Sequence, residues 1–192
     1  MVRRSPSPRL QHDADAFDVA TGDGVLRVLQ VQRPGGKRIS AAAGKSTNIE
    51  LFLKREKVGG NASIMAGALA EAPIKTTLVA TLGAPKIAPV FAQLAKKAEL
   101  ISLGEPTETH AVEFADGKVM LGYTRNLEQV GFAALQRALK GKSGLLKKFA
   151  EADLISLVNW TMTPGMTQLL KKLSGLPAAK KARTFFFDLA DP

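Results

Sequence analysis

The sequence of 192 residues holds no cysteine and only two histidines. With no thiol there is no disulfide, no thiolate metal site and no cysteine nucleophile, which fits a reducing compartment and leads to a cytoplasmic location as the expectation. His12 stands in a polar N-terminal stretch and His110 in an expected strand, so neither a histidine-based catalytic triad nor a multi-histidine metal site is expected. Long apolar runs are missing too. None approaches the roughly 20 residues that cross a bilayer, so no membrane-spanning segment is expected.

Acidic residues are also few, at 17 against 27 Lys and Arg, for a formal charge of +10. Such a balance makes a polyanion a partner to weigh. Between Lys140 and Arg183 nine basic residues face two acidic ones, with Lys147-Lys148, Lys171-Lys172 and Lys180-Lys181 as pairs. Solvated helix faces account for these pairs. No aromatic-rich sheet motif, zinc finger or helix-turn-helix pattern accompanies them, and nucleic acid is not the expected partner. An apolar fraction of 45% supplies one sizeable core, as a soluble domain requires. Arg3-Arg4 is followed by Ser-Pro-Ser-Pro and a polar stretch where an export signal needs apolar residues. Residues 1–16 are expected to be a disordered leader to a domain over 17–192.

Two textures alternate along that domain. Ile87, Val90, Phe91, Leu94, Ala95 and Ala98 fall on one helical face, as do Met166, Leu169, Leu170 and Leu173. The second helix has Thr163 as the expected N-cap, Pro164 at its first position and Gly175 at its end. Helical sequence also runs from Leu127 to Glu151, split in two at Lys140 to Gly144. Short apolar runs at residues 76–82, 154–158 and 184–187 have strand length, and such runs between helices predict a parallel sheet covered on both faces. Asp116-Gly117 between two strand-like runs predicts a hairpin over 109–123. With strands at 25–32 and 48–53, separated by a loop holding Pro34-Gly35-Gly36, it predicts a small antiparallel β lid.

Several positions carry chemistry. Gly59-Gly60-Asn61 opens an Ala-rich helix: the glycines let backbone approach a ligand, Asn61 offers donors and an acceptor, and the helix start presents free N–H groups. That combination suits hydroxyls. Gly22-Asp23-Gly24 sets a carboxylate between flexible residues, able to accept from two hydroxyls of a diol, or simply to occupy a surface turn. Asn159-Trp160 and Asp188, with Asp191, follow apolar strands, at the sheet end where open α/β proteins bind ligands, and the two carboxylates could serve a site or merely cap a following helix. Gly44-Lys45-Ser46 is not a phosphate-binding P-loop, because Ile39 stands where that motif needs its first glycine.

GGNASIMAGALA, the Asp-Gly hairpin, ADLISLVNW and FFFDLADP, in this order, resemble the N-terminal portion of a ribokinase-like (PfkB-type) carbohydrate kinase, over roughly Asp18 to Pro192. The resemblance implies an α/β fold with a Rossmann-like parallel sheet flanked by helices and a β lid, incomplete at the C-terminus. It implies transfer of the terminal phosphate of ATP or ADP to a sugar hydroxyl, with Mg²⁺. Carried over, Asp23, Gly59, Gly60 and Asn61 contact the sugar, Glu113 is a lid residue near it, Asn159 lies near its pocket and Asp188 stands at the site edge. Where the family pattern has an Asn three residues after Asn61, this chain has Ile64.

The family's second signature, the Gly-Ala-Gly-Asp segment with the catalytic base, does not occur in these 192 residues. No catalytic residue and no metal ligand is therefore assigned, the nucleotide site is expected mostly outside this chain, and the chain alone is expected to be inactive. Two alternatives stand beside the kinase reading: a non-catalytic sugar-binding or protein-interaction module of the same fold, homodimeric through the lid or an exposed sheet edge, and a nucleic-acid-binding protein.

Overall fold

In the computed structural model, residues 15–20, 24–31, 35–72, 74–115, 117–176 and 183–190 are described. The chain runs β1 (Asp15–Ala20), β2 (Gly24–Gln30), α1 (Gly35–Ala41), β3 (Phe52–Gly59), α2 (Asn61–Glu71), β4 (Lys75–Ala80), β5 (Glu99–Ser102), β6 (Thr107–Phe114), β7 (Gly117–Tyr123), α3 (Phe132–Ala138), α4 (Lys142–Glu151), β8 (Leu154–Val158), α5 (Met166–Ser174) and β9 (Thr184–Phe187). Of the expected leader, only Asp15 and Ala16 are described, and they open β1.

Five strands form a wholly parallel sheet in the order β5-β4-β1-β8-β9. Alternation along β4 and β8 sends side chains to opposite faces, and both faces are apolar. On one face Val79, Ile155 and Leu157 pack with Leu135 of α3, Leu145 and Phe149 of α4, and Met166 and Leu169 of α5. On the other, Leu78, Ala80 and Val158 pack with Ala62 and Ala66 of α2 and with Phe91 and Leu94. Each fully buried Leu, Ile or Phe contributes about 1.5–3 kcal/mol, so two cores hold this sheet. Lys148 of α4 ties to Glu99 of β5, which also accepts from Thr77 at 2.9 Å.

A second sheet runs β3-β2-β6-β7. Its outer pairs, β2 with β3 and β6 with β7, are antiparallel, whereas β2 and β6 pair in parallel. Strands from separate passes of the chain need no hairpin to join them, so the middle of the expected antiparallel lid is parallel. A β6–β7 hairpin forms where the sequence predicts one, but Gly117 opens β7 opposite Phe114 instead of lying in the turn, and Asp116 lies outside the described residues.

Other expectations are corrected. The stripe from Ile87 to Ala98 forms two short 3₁₀ turns, Pro89–Phe91 and Leu94–Lys96, instead of one α-helix. Pro89, which lacks an N–H, can sit only at the start of a helical turn, and the segment is cut there. Gly35-Gly36 opens α1 instead of lying in a loop. The strand expected at 48–53 lies at Phe52–Gly59. Helix α5 starts at Met166 after Gly165, with Thr163 accepting from the Met166 N–H at 3.1 Å.

The pairs Lys147-Lys148 and Lys171-Lys172 sit on helices α4 and α5. Lys147 lies 3.9 Å from Glu151, and Lys172 lies 5.4 Å from the Phe132 ring centre. Lys180-Lys181 and His12 lie outside the described residues. His110 Nε2 lies 3.6 Å from Glu108, on the strand face away from Thr107 and Thr109. Gly44-Lys45 follows a helix, not a strand. Among the described residues no helix is long and apolar enough to cross a membrane.

Candidate functional site

Four short pieces of backbone meet at the carboxyl ends of the parallel strands. Gly59 ends β3 and Gly60 caps α2 with φ 94°, a left-handed geometry that only glycine adopts freely. Asn61 begins α2, whose N-cap Gly60 offers no side-chain hydrogen bond, while the Gly60 carbonyl accepts from the Ile64 N–H at 3.3 Å. Gly24 opens β2 against Thr107: a Cβ there would lie 2.1 Å from the Thr107 carbonyl oxygen. Asn159 leaves β8 with φ 63°, a backbone that Asn tolerates better than most residues, and its side chain is buried.

Asp188, just past β9, binds three of these pieces together. Its Oδ2 accepts from Asn61 Nδ2 at 2.9 Å and from the Asn159 N–H at 3.4 Å, and its Oδ1 accepts from the Ala190 N–H at 3.0 Å. The Asn61 hydrogen bond, opposed by partial burial and helped by the two backbone N–H groups, holds the Asp188 carboxyl below the usual carboxylate range. Backbone bonds fix the same corner: Asp188 N–H donates to Leu157 and Trp160 N–H donates to Asp188, each at 3.0 Å. Trp160 packs edge-on against Phe187 and reaches Thr167 through Nε1 at 3.3 Å.

Beside this corner is a cavity of about 210 Å³. Its volume is below the about 300–1,000 Å³ of pockets for drug-sized ligands, which suits a small molecule. Gly59, Gly60, Asn159 and Met162 form the wall toward the parallel sheet. Gly24, Val25, Leu26, Thr107, Thr109 and Met120 form the wall from the second sheet, closed by Thr124 and Leu127. Among the described residues the lining thus combines hydroxyls, an amide and backbone with apolar side chains, and contains no charged residue.

Of the residues expected from the sequence, Gly59, Gly60 and Asn159 line the cavity, while Asn61 and Asp188 adjoin it through Gly60 and Asn159. Asp23 and Asp191 lie outside the described residues. Glu113 is half-buried four residues beyond Thr109 on β6, 3.7 Å from Lys54, and is not among the lining residues. Ile64, where the family pattern has Asn, is exposed on α2. Sequence reasoning missed Thr107, Thr109, Thr124, Met120 and Met162. Alternation along β6 puts Thr107 and Thr109 on one face, but which face meets a cavity depends on strand pairing.

A family model described as prokaryotic ketohexokinase matches residues 36–177. The chain belongs to this family of PfkB-type carbohydrate kinases. No curated protein matches it significantly. Among solved structures, it is similar to a carbohydrate kinase from Agrobacterium tumefaciens, at 16% identity and TM-score 0.55, over 78% of this chain and 46% of that one. The Arabidopsis thaliana ribokinase complexed with ribose and ATP matches at 13% identity and TM-score 0.55, over 92% and 54%. Ribokinase from Cryptococcus neoformans var. grubii serotype A in complex with ADP matches at 15% identity and TM-score 0.59, over 93% and 51%. These likenesses establish a ribokinase-like α/β fold, and the chain spans about half the length of the structures it matches. In this ketohexokinase-family chain, no group of three or more His, Asp or Glu side chains placed to hold a metal ion occurs among the described residues.

Proposed function

We propose that these residues are the acceptor-binding portion of a carbohydrate kinase that transfers the terminal phosphoryl group of ATP or ADP to a sugar hydroxyl. The observation that carries the reading is the Gly59-Gly60-Asn61 corner, set against a small cavity lined by threonine hydroxyls and an asparagine amide at the carboxyl ends of the parallel strands. The family match supports a ketohexose as the acceptor. Asn61 and Asn159 offer amide hydrogen bonds, Thr107, Thr109 and Thr124 offer hydroxyls, and the apolar side chains exclude water from the sugar ring. Asp23 is proposed as the carboxylate partner of a diol and Glu113 as a residue of the lid that the second sheet forms. Magnesium and the nucleotide belong to the proposal through the family alone, and a cytoplasmic location belongs to it as well.

Phosphoryl transfer further needs a positioned nucleotide and a base, which by itself contributes about 10²- to 10⁴-fold. The Gly-Ala-Gly-Asp segment is not among these 192 residues. This chain is accordingly proposed to bind sugar without appreciable turnover. Titration with D-fructose, a representative ketohexose, tests this: Asp23→Ala should weaken binding by about tenfold or more, the worth of one hydrogen bond to a charged group. Unchanged affinity removes Asp23 from the site, and hydrolysis of ATP by the chain alone contradicts the division of labour.

A second reading, an interaction module, is favoured by one feature. Among the described residues, edge strand β9 pairs with β8 alone and leaves Phe185, Phe186 and Phe187 each 44% exposed. An exposed apolar edge offers unpaired backbone groups to another strand, so self-association through β9 or through the outer face of the second sheet is proposed alongside sugar binding.

A further inference from the structure

The hydrogen bond between Asn61 and Asp188 decides more than where the two residues sit. An ionised carboxylate only accepts hydrogen bonds, so the group that Asn61 turns toward Asp188 at 2.9 Å is its NH₂. The carboxamide is planar, and its Oδ1 is therefore turned away from Asp188. Asp188 is itself held in place, because both of its oxygens take backbone N–H groups, from Asn159 and Ala190. A carboxylate pinned in this way leaves the amide one favourable orientation, in which its donor is engaged and its acceptor faces away from Asp188. Asn61 follows Gly60, which lines the cavity.

We propose that Asp188 is a positioning residue that fixes the Asn61 carboxamide so that Asn61 meets the acceptor sugar as a hydrogen-bond acceptor, through Oδ1. The proposal rests on the reading of the cavity as the sugar site. Its consequence is selectivity: the sugar group opposite Asn61 must donate, so a hydroxyl is taken and a fluoro, keto or deoxy group at that position is refused. Asp188 acts through Asn61 and need not touch the sugar.

The test is a D-fructose titration of the chain as it stands, followed by calorimetry and by the fluorescence of Trp160, the only tryptophan. Asn61→Ala and Asp188→Ala should each weaken binding by about tenfold or more. The double variant should be no weaker than either single one, as expected for two groups acting as one unit. Asn61→Asp sets two carboxylates face to face and should lose binding. Adding Asp188→Asn to it exchanges donor and acceptor and keeps an acceptor toward the sugar; it gives up the 3.4 Å bond from the Asn159 N–H and should recover part of the affinity, a rescue that a merely structural role does not predict.

Circular dichroism and thermal unfolding of each variant separate lost binding from lost fold. Should Asp188→Ala unfold, the exchange pair and Asn61→Ala decide. Fructose binding by the unsubstituted chain that Asp188→Ala leaves unchanged overturns the role of Asp188 alone, as does an exchange pair that binds no better than Asn61→Asp. Absence of fructose binding by the unsubstituted chain overturns the sugar-site reading, and this inference with it.

Discussion

Asn61 donates a 2.9 Å hydrogen bond from Nδ2 to the carboxylate of Asp188, joining the start of α2 to the end of β9 across 127 positions of sequence. With the Asn159 and Ala190 N–H groups on the same carboxylate, it makes one hydrogen-bonded unit of the corner beside the cavity. Disturbing any member should therefore be felt at the others.

The first expectation concerns pH. The folded-state value of Asp188 is lowered from an ordinary 3.8, chiefly by the Asn61 hydrogen bond. A depressed carboxyl contributes stability that is fully present above the unfolded value and is lost as pH falls through the folded one. The gap in unfolding free energy between the unsubstituted chain and Asp188→Ala should stay constant above the ordinary value and close below it. Urea unfolding across acid pH measures this; a gap that persists unchanged in strong acid assigns it to causes other than the carboxylate.

Gly24 is a second point of sensitivity. A Cβ at this position meets the Thr107 carbonyl oxygen at 2.1 Å and its Oγ1 at 2.2 Å, where β2 and β6 pair beside the cavity. Gly24→Ala should cost about 1–3 kcal/mol, as overpacking commonly does, and should also weaken sugar binding by spreading the cavity wall. Denaturant titration read beside fructose affinity checks both, and an unaltered midpoint contradicts the close approach.

Self-association is the third. Phe185 and Phe187 stack at 6.2 Å on one side of β9, Phe186 faces the other, and all three are exposed. A charge on an edge strand discourages edge pairing, so Phe186→Lys should shift the chain toward monomer. Light scattering after size exclusion measures it. A chain that is already monomeric without the substitution contradicts the prediction.

Much of this corner could be read from the sequence because its signals are local. Gly59-Gly60 needs no partner to announce a sharp turn, and Asn61 does open a helix there. The strands at Leu154–Val158 and Thr184–Phe187 were legible as apolar runs of strand length bounded by polar residues. Other elements depended on tertiary context. Strand β3, Phe52–Gly59, reads FLKREKVG, and its charges look like loop until the strand is seen at the sheet edge, with its first six residues exposed. The apolar spacing from Ile87 to Ala98 mimicked a helix because 3₁₀ turns can bury Phe91 and Leu94 at similar intervals. The bond between Asn61 and Asp188 could not be read at all, since no local pattern links residues so far apart.

Fructose titration of the unsubstituted chain beside Asn61→Ala, read by calorimetry, tests the central claim most directly. The account predicts saturable binding that weakens by about tenfold or more in the variant while its fold, read by circular dichroism, is kept. Absence of saturable binding, or equal affinity in the two proteins, contradicts the account of this corner as the sugar site.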